Sequence, residues 1–154
     1  MDFEFALAIH VLSIVLWIGG VGFVTTVALP AIRRSTSPLE RLERFEWFER
    51  RFAWQARGWV LIAGLSGLYM VARLDLWRAF EQAAYWWLDA MIGLWFIFAL
   101  MLFVAEPFFL HRWLARRSRA KPEQTFRLVE RMHWLLLSLS IVTVLSAVAG
   151  SHGG

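Results

Sequence analysis

The sequence contains no cysteine, which excludes structural disulfides, thiolate metal sites and thiol redox chemistry. It is also poor in charge: 18% of its 154 residues are Asp, Glu, Lys or Arg, and no Lys or Arg precedes Arg33 or follows Arg131. A cleavable secretory signal needs a positive n-region and a small-residue cleavage site ahead of soluble sequence. The chain instead opens Met1-Asp2-Phe3-Glu4-Phe5 and passes directly into an apolar run, so the first helix is expected to be retained. No internal repeat, low-complexity tract or linker divides the sequence, and residues 1–154 read as a single domain.

What the sequence has in excess is apolar surface. Its 59% hydrophobic content and ten tryptophans exceed what a soluble core of this length absorbs, and the surplus must face lipid. The pI near 10.6 is not a nucleic-acid footprint, because the basic residues are confined to short segments between long apolar runs. Four segments approach the roughly 20 residues that a bilayer core demands: about Phe5 to Leu29, Gly58 to Val71, Trp86 to Leu110 and Met132 to Gly150. The second is the shortest and needs its flanks. The Lys and Arg counts in the connections, from the N-terminus to the C-terminus, are zero, seven, two, seven and zero. The positive-inside rule then puts both termini outside and the two arginine-rich connections in the cytoplasm. The expected fold is an all-α integral membrane four-helix up-down bundle in a bacterial cytoplasmic (inner) membrane, with both termini periplasmic.

Ser37-Pro38-Leu39-Glu40 has the form of an N-cap, a proline at the first helical position and a capping-box glutamate. Leu39, Leu42, Phe45, Phe48 and Phe52 follow at near-helical spacing, and no breaker precedes Gly58, so one helix is expected to run unbroken into the second span. Glu40/Arg44 and Glu46/Arg50 are placed to pair four residues apart. Lys121-Pro122-Glu123 marks a second early helix start, and the bundle should project beyond the membrane on the arginine-rich side. The tryptophans Trp54, Trp59, Trp77, Trp86, Trp87, Trp113 and Trp134 read as interfacial belts.

The chemistry resides in four histidines, since a histidine in or at the end of a span is costly unless paired or bound. With Pro30, His111 and His133 as the inner boundary, His10 lies twenty residues outward on the first helix and His152 nineteen outward on the last, roughly 30 Å at helical rise. His10 and His152 thus share an outer level, and His111 and His133 an inner one, each pair joining neighbours in an up-down bundle. Two imidazoles from facing helices, in a chain without cysteine, suit haem b: two axial nitrogens, an apolar slot, and arginines for the propionates. Arg57 at the inner level and Arg73 at the outer are the candidate propionate partners. Gly19, Gly20, Gly22, Gly64, Gly67, Ser138, Ser140, Ser146, Ala147 and Ala149 supply room, or close helix packing. Glu106, before Pro107, and Asp89, near Arg73, are candidate proton-handling groups or ion-pair partners. Pro107 is expected to kink the third helix and free a backbone carbonyl one turn earlier.

These residues point to a membrane-bound b-type cytochrome, with two haems, moving electrons between partners such as a quinone or a periplasmic redox carrier. A rival reading is transport of copper or another cation through histidines and Glu106, without a methionine ladder among Met70, Met91, Met101 and Met132. A third is a haem-dependent membrane oxidoreductase. A homodimer through small residues, with Ala63, Gly64 and Gly67 or the glycines of the first helix, is also expected. The run Ile9-His10-Val11 through Trp17-Ile18-Gly19-Gly20 to Leu29-Pro30 resembles the first helix of the copper-resistance-protein-D-like family of small bacterial membrane proteins. The His, the Trp seven later and the Gly three after that are also similar to the J-type protoporphyrinogen oxidases. That resemblance implies a four-helix-type membrane protein binding haem b through His10, with Trp17 and Gly20 as context.

Overall fold

The computed structural model describes residues 2–34, 37–110, 113, 116–117 and 120–151, and among them every long element is helical. Helix α1 (Phe3–Phe23) continues through a π-helical turn, Val24–Ala28, into α2 (Leu29–Arg33). Helix α3 (Pro38–Arg73) follows, then two short 3₁₀ segments, Leu76–Glu81 and Ala83–Tyr85. Helix α4 (Trp86–Leu100) passes into a longer π-helical segment, Met101–Leu110, and α5 (Pro122–Ser151) ends the described chain.

Three stretches are long and apolar enough to cross a membrane: Phe3–Arg33, Ala83–Phe108 and Pro122–Gly150. Only 22% of each apolar window is buried inside the protein. Leu, Val, Ile and Phe side chains cover the outside instead, among them Phe5, Val15, Leu65, Phe96, Val142 and Leu145, all more than 45% exposed. Such a surface is compatible with lipid and not with water. Helix α3 is the unbroken helix that the sequence implies, and its start is as expected: Glu40 N–H donates to Ser37 Oγ, and Ser37 N–H to a Glu40 carboxylate oxygen. Its apolar part falls short of a full span because Arg57 and Arg73 bracket it.

Helix α3 is the hub, packing along α1 most extensively and also touching α4 and α5. Helix α5 in turn contacts α1 and α4, as an up-down arrangement requires. The central core joins Trp17 and Val21 to Ala53, Val60, Leu94 and Phe98, with Trp17 and Phe98 meeting edge to face at 4.8 Å. A second core of Val24, Leu29, Leu42, Phe45, Phe126 and Val129, with Phe48 and Phe52 against it, lies around the arginine-rich ends. This is the apolar stripe read from Leu42 to Phe52, and it extends the bundle beyond the apolar windows. Its ion pairs join different helices, Arg33 to Glu130 at 3.0 Å and Arg41 to Glu123 at 3.1 Å. The expected pairs Glu40/Arg44 and Glu46/Arg50 do not form among the described residues. The exposed face of α3 gives those long side chains water to choose from, and cross-helix partners fix geometry better than neighbours on one turn.

Both π segments are tied to prolines. In the first, Leu29 N–H bonds to Val24 O, five residues back, and Pro30 follows at once. Thr25 and Thr26 return their hydroxyls to Val21 O and Gly22 O, at 2.7 and 2.8 Å, which satisfies carbonyls where the ladder changes register.

Candidate functional site

Two of the four histidines, His10 and His133, are described; His111 and His152 lie outside the described residues. His10 projects from α1 onto α3, where its Nδ1 is 2.9 Å from Ala63 O and 3.1 Å from Ser66 Oγ. A carbonyl oxygen only accepts, so Nδ1 carries the proton and, in the neutral ring, Nε2 keeps the lone pair. Ser66 itself donates to Ile62 O at 2.6 Å, which leaves its oxygen free to accept. Gly67 makes this seat possible: a Cβ there would lie 3.1 Å from the His10 ring. His133 repeats the pattern on α5, with Nδ1 2.9 Å from Val129 O of its own preceding turn and its ring edge-on to Phe45 at 5.5 Å. Both described imidazoles are therefore held by the same nitrogen, and the other makes no hydrogen bond among the described residues. His10 makes its hydrogen bonds to α3 alone. Depth matching fixes a histidine's level and not its rotation, which is why its contact with α3 was not read from the sequence.

The hollows at small residues are filled from within the chain. Phe52 lies on Gly20, the Trp95 indole on Gly64, His10 on Gly67 and Trp87 on Gly150. Trp95 Nε1 also donates to Val60 O at 2.8 Å. At these four glycines the absence of a Cβ lets side chains of neighbouring helices pack close to the backbone. Ala63 is buried, and Gly64 and Gly67 are likewise packed within the chain, whereas a Cβ added at Gly19 would meet nothing within 4 Å. Ser140 and Ser13 are fully buried and return their hydroxyls to Leu136 O and Ile9 O.

Trp54, Trp77, Trp86, Trp113 and Trp134 are exposed, as a belt residue must be. The belt reading fails for Trp59, which packs on the central core, and for Trp87, whose Nε1 is buried with no acceptor. Trp17 Nε1 is the other buried side-chain donor without an acceptor among the described residues. A buried unpaired N–H is costly, and Trp87 lies against Gly150, two residues before His152 in the sequence.

Near the arginine-rich ends the structure adds a constellation that the sequence does not announce. Glu106 is buried at 7% exposure and forms an ion pair with Arg57 at 3.2 Å. Arg57 Nε donates to Leu102 O at 3.1 Å, and its guanidinium lies over the Trp54 ring at 5.5 Å. The choice of Leu102 follows from the backbone. A π turn pairs each N–H with the carbonyl five residues back, so the N–H that Pro107 lacks strands Leu102 O. The carbonyl that Pro107 was expected to free is thus found, and Arg57 fills it. Glu49 lies near: burial first, then the negative charges of Glu106 and Glu46, push its carboxyl up to about 7. Arg57, proposed from sequence as a propionate partner, therefore already has a carboxylate partner inside the chain. Arg73 and Asp89 are both exposed and form no ion pair with each other, because the 3₁₀ turns between their helices leave both side chains facing outward. Among the described residues no three His, Asp or Glu gather as a metal site.

No family model, no curated protein and no solved structure matches the chain.

Proposed function

We propose that the chain is a membrane-bound b-type cytochrome of four crossings. In this reading, α3 completes the three apolar spans as the remaining crossing, both termini are periplasmic, and the arginine-rich ends lie in the cytoplasm of a bacterium. The observation that carries the reading is the shared state of His10 and His133, each committed through Nδ1–H to a backbone carbonyl and leaving Nε2 with a lone pair. A ring held in this way would offer one nitrogen of fixed tautomer to a haem iron. The depth pairing gives His10 with His152 at the outer level and His111 with His133 at the inner. The donor set fits haem iron, since neutral imidazole without thiolate suits a b-type centre. The unpaired Trp87 N–H fits an acceptor such as a propionate at the outer level. A bound haem b would supply one-electron exchange at its iron. The chain's own part is to hold two imidazoles in one tautomer, to exclude water with an apolar exterior, and to keep charge at the inner end. A quinone or a periplasmic carrier would then be the redox partner. The resemblance of the first helix to the copper-resistance-protein-D-like and J-type oxidase families supports His10 as a ligand and extends no further.

The test is the visible spectrum of the purified protein. A Soret band with an α-band on reduction supports the cytochrome, and a colourless preparation that does not take up added haemin overturns it. One observation favours a second reading, cation or proton movement: the Glu49 carboxyl, raised first by burial and then by the charge of Glu106, lies near the Arg57–Glu106 pair and the proline-broken segment. Proton uptake by reconstituted vesicles, abolished in Glu106→Gln and independent of any chromophore, would select that reading instead.

A further inference from the structure

Beside the Arg57–Glu106 pair lies a cleft of about 490 Å³ between α3 and the π segment that ends the Ala83–Phe108 apolar stretch. Its floor is Arg57, Glu106 and Pro107, and its rim is Trp47, Arg50, Arg51 and Trp54. Three guanidinium groups and one carboxylate line the cleft, with the Glu49 carboxyl close to Glu106. Arg57 neutralises Glu106 at 3.2 Å, whereas neither Arg50 nor Arg51 has a carboxylate partner among the described residues. Arg51 lies over the Trp47 ring at 5.9 Å and Arg57 over Trp54 at 5.5 Å, so the cationic groups are held above aromatic plates. Both tryptophans are strongly exposed, 61% and 73%, as rings at a headgroup level are.

Below this charged mouth the surface turns apolar on both walls. On α3 the face of Arg57 continues through Leu61, Leu65 and Leu68, spaced four, four and three residues apart and all exposed. From the Pro107 end back toward α4, Phe108, Val104, Leu100 and Phe96, spaced four residues apart, are exposed likewise. A cationic pocket opening onto two apolar tracks has the shape of an amphiphile, with an anionic head and hydrocarbon chains. A second cleft, of about 510 Å³, is lined by Pro30, Arg33, Arg127, Glu130, Arg131 and Trp134. There Arg33 is held by Glu130, and Arg127 by Glu123 at 3.1 Å, which leaves Arg131 as its one guanidinium without a carboxylate partner among the described residues.

We propose that the cleft formed by Arg50, Arg51, Arg57, Trp47 and Trp54 binds the phosphodiester headgroup of an anionic phospholipid, whose acyl chains lie along the Leu61–Leu68 and Phe96–Phe108 tracks. Arg50 and Arg51 supply the charge-assisted hydrogen bonds. Arg57 anchors the floor and cancels the Glu106 charge that would otherwise repel the phosphate. The two tryptophans set the headgroup depth. The site is independent of the haem reading, since none of these residues is a proposed iron ligand.

The experiment is native mass spectrometry of the full chain in detergent, titrated with phosphatidylglycerol and, separately, with phosphatidylcholine of the same chains. The expected result is preferential retention of phosphatidylglycerol. Each arginine near an anionic headgroup contributes about fivefold in affinity, so Arg50→Gln with Arg51→Gln should lower retention about thirtyfold. The charge-preserving Arg50→Lys with Arg51→Lys should keep most of it, and Arg127→Gln, in the other cleft, should change it less than twofold. Because Arg50 and Arg51 are exposed, the variants are expected to fold, and unchanged circular dichroism checks this. Quenching of tryptophan fluorescence by brominated-chain phosphatidylglycerol, lost when Trp47 and Trp54 become Phe, reads the same site in a form that a folding defect does not mimic. Equal retention of the two lipids, or full retention by the double Gln variant, overturns the proposal. Displacement of the bound lipid by millimolar inorganic phosphate overturns it too, by showing a site for a free anion.

Discussion

Replacing Arg57 by Leu removes three contacts at once, and the structure allows each to be sized. The Glu106 carboxylate, 7% exposed, is left without its partner at 3.2 Å, and stranding a buried charge costs roughly 3–5 kcal/mol. Leu102 O loses the donor that stands in for the N–H missing at Pro107, about 1 kcal/mol more. Stacking on the exposed Trp54 contributes roughly 0.5 kcal/mol. The Arg57 side chain retains 21% exposure and water reaches the cleft, so solvent screening brings the expected net loss below the sum of the three, to about 3 kcal/mol. The assay is unfolding in mixed micelles, followed by circular dichroism. Two further variants identify the cause. Glu106→Gln added to Arg57→Leu should recover about half the loss, because an amide tolerates burial without a counter-ion. Pro107→Ala added to Arg57→Leu should recover about 1 kcal/mol, because a restored N–H can take Leu102 O. A loss below about 1 kcal/mol, or three substitutions that add independently within about 0.5 kcal/mol, would refute the linkage of proline, carbonyl, arginine and carboxylate.

Further outcomes follow from the same geometry. The Glu49 carboxyl titrates near 7 in the fold against 4.5 ordinarily, so its contribution to stability is fully present below pH 4.5 and lost as pH rises through about 7. Glu49→Gln should flatten stability over that window, by at most about 3 kcal/mol, and parallel pH profiles of the two proteins would contradict it. Gly64→Ala puts a Cβ within 2.6–2.7 Å of the Trp95 indole and should cost roughly 1–3 kcal/mol in unfolding measurements. Gly58→Ala, with open space around it, should stabilise the helix by up to about 1 kcal/mol, and the reverse order of the two would sink this packing account. In this cysteine-free chain, a cysteine at Ala120, next to Arg119, should react with impermeant maleimide only from the cytoplasmic side and one after Gly154 only from outside; the opposite pattern would invert the proposed topology.

How much of this was legible depended on how local the cause is. Ser37, Pro38 and Glu40 fix a helix start among four consecutive residues, and the structure has that start, just as the spacing of Leu42, Phe45, Phe48 and Phe52 matches the face that becomes the second core. The shortness of the second apolar segment was equally visible, since Arg57 and Arg73 bracket it in the sequence. Pro107 announced a freed carbonyl, but its identity depends on whether the backbone runs in α or π register, and no residue type codes for that choice. Arg57 was read by charge and depth as a group for an external anion. That Glu106 meets it depends on the rotation of one helix against another, which depth does not specify. The same missing rotation hid the seat of His10 on Ala63 and Ser66, and the burial of the Trp87 Nε1 against Gly150.

The central claim is that the histidines hold haem, and the most direct measurement is the reduced-minus-oxidised spectrum and haem content of the purified protein and its single His→Ala variants. The account predicts a Soret band and an α-band. His10→Ala and His152→Ala should each remove the same half of the absorbance and His111→Ala and His133→Ala the other half, with substitutions across pairs abolishing haem and those within a pair resembling either single. A wild-type protein that is colourless and binds no added haemin, or His10→Ala and His133→Ala variants that remove the same spectral component, would contradict it.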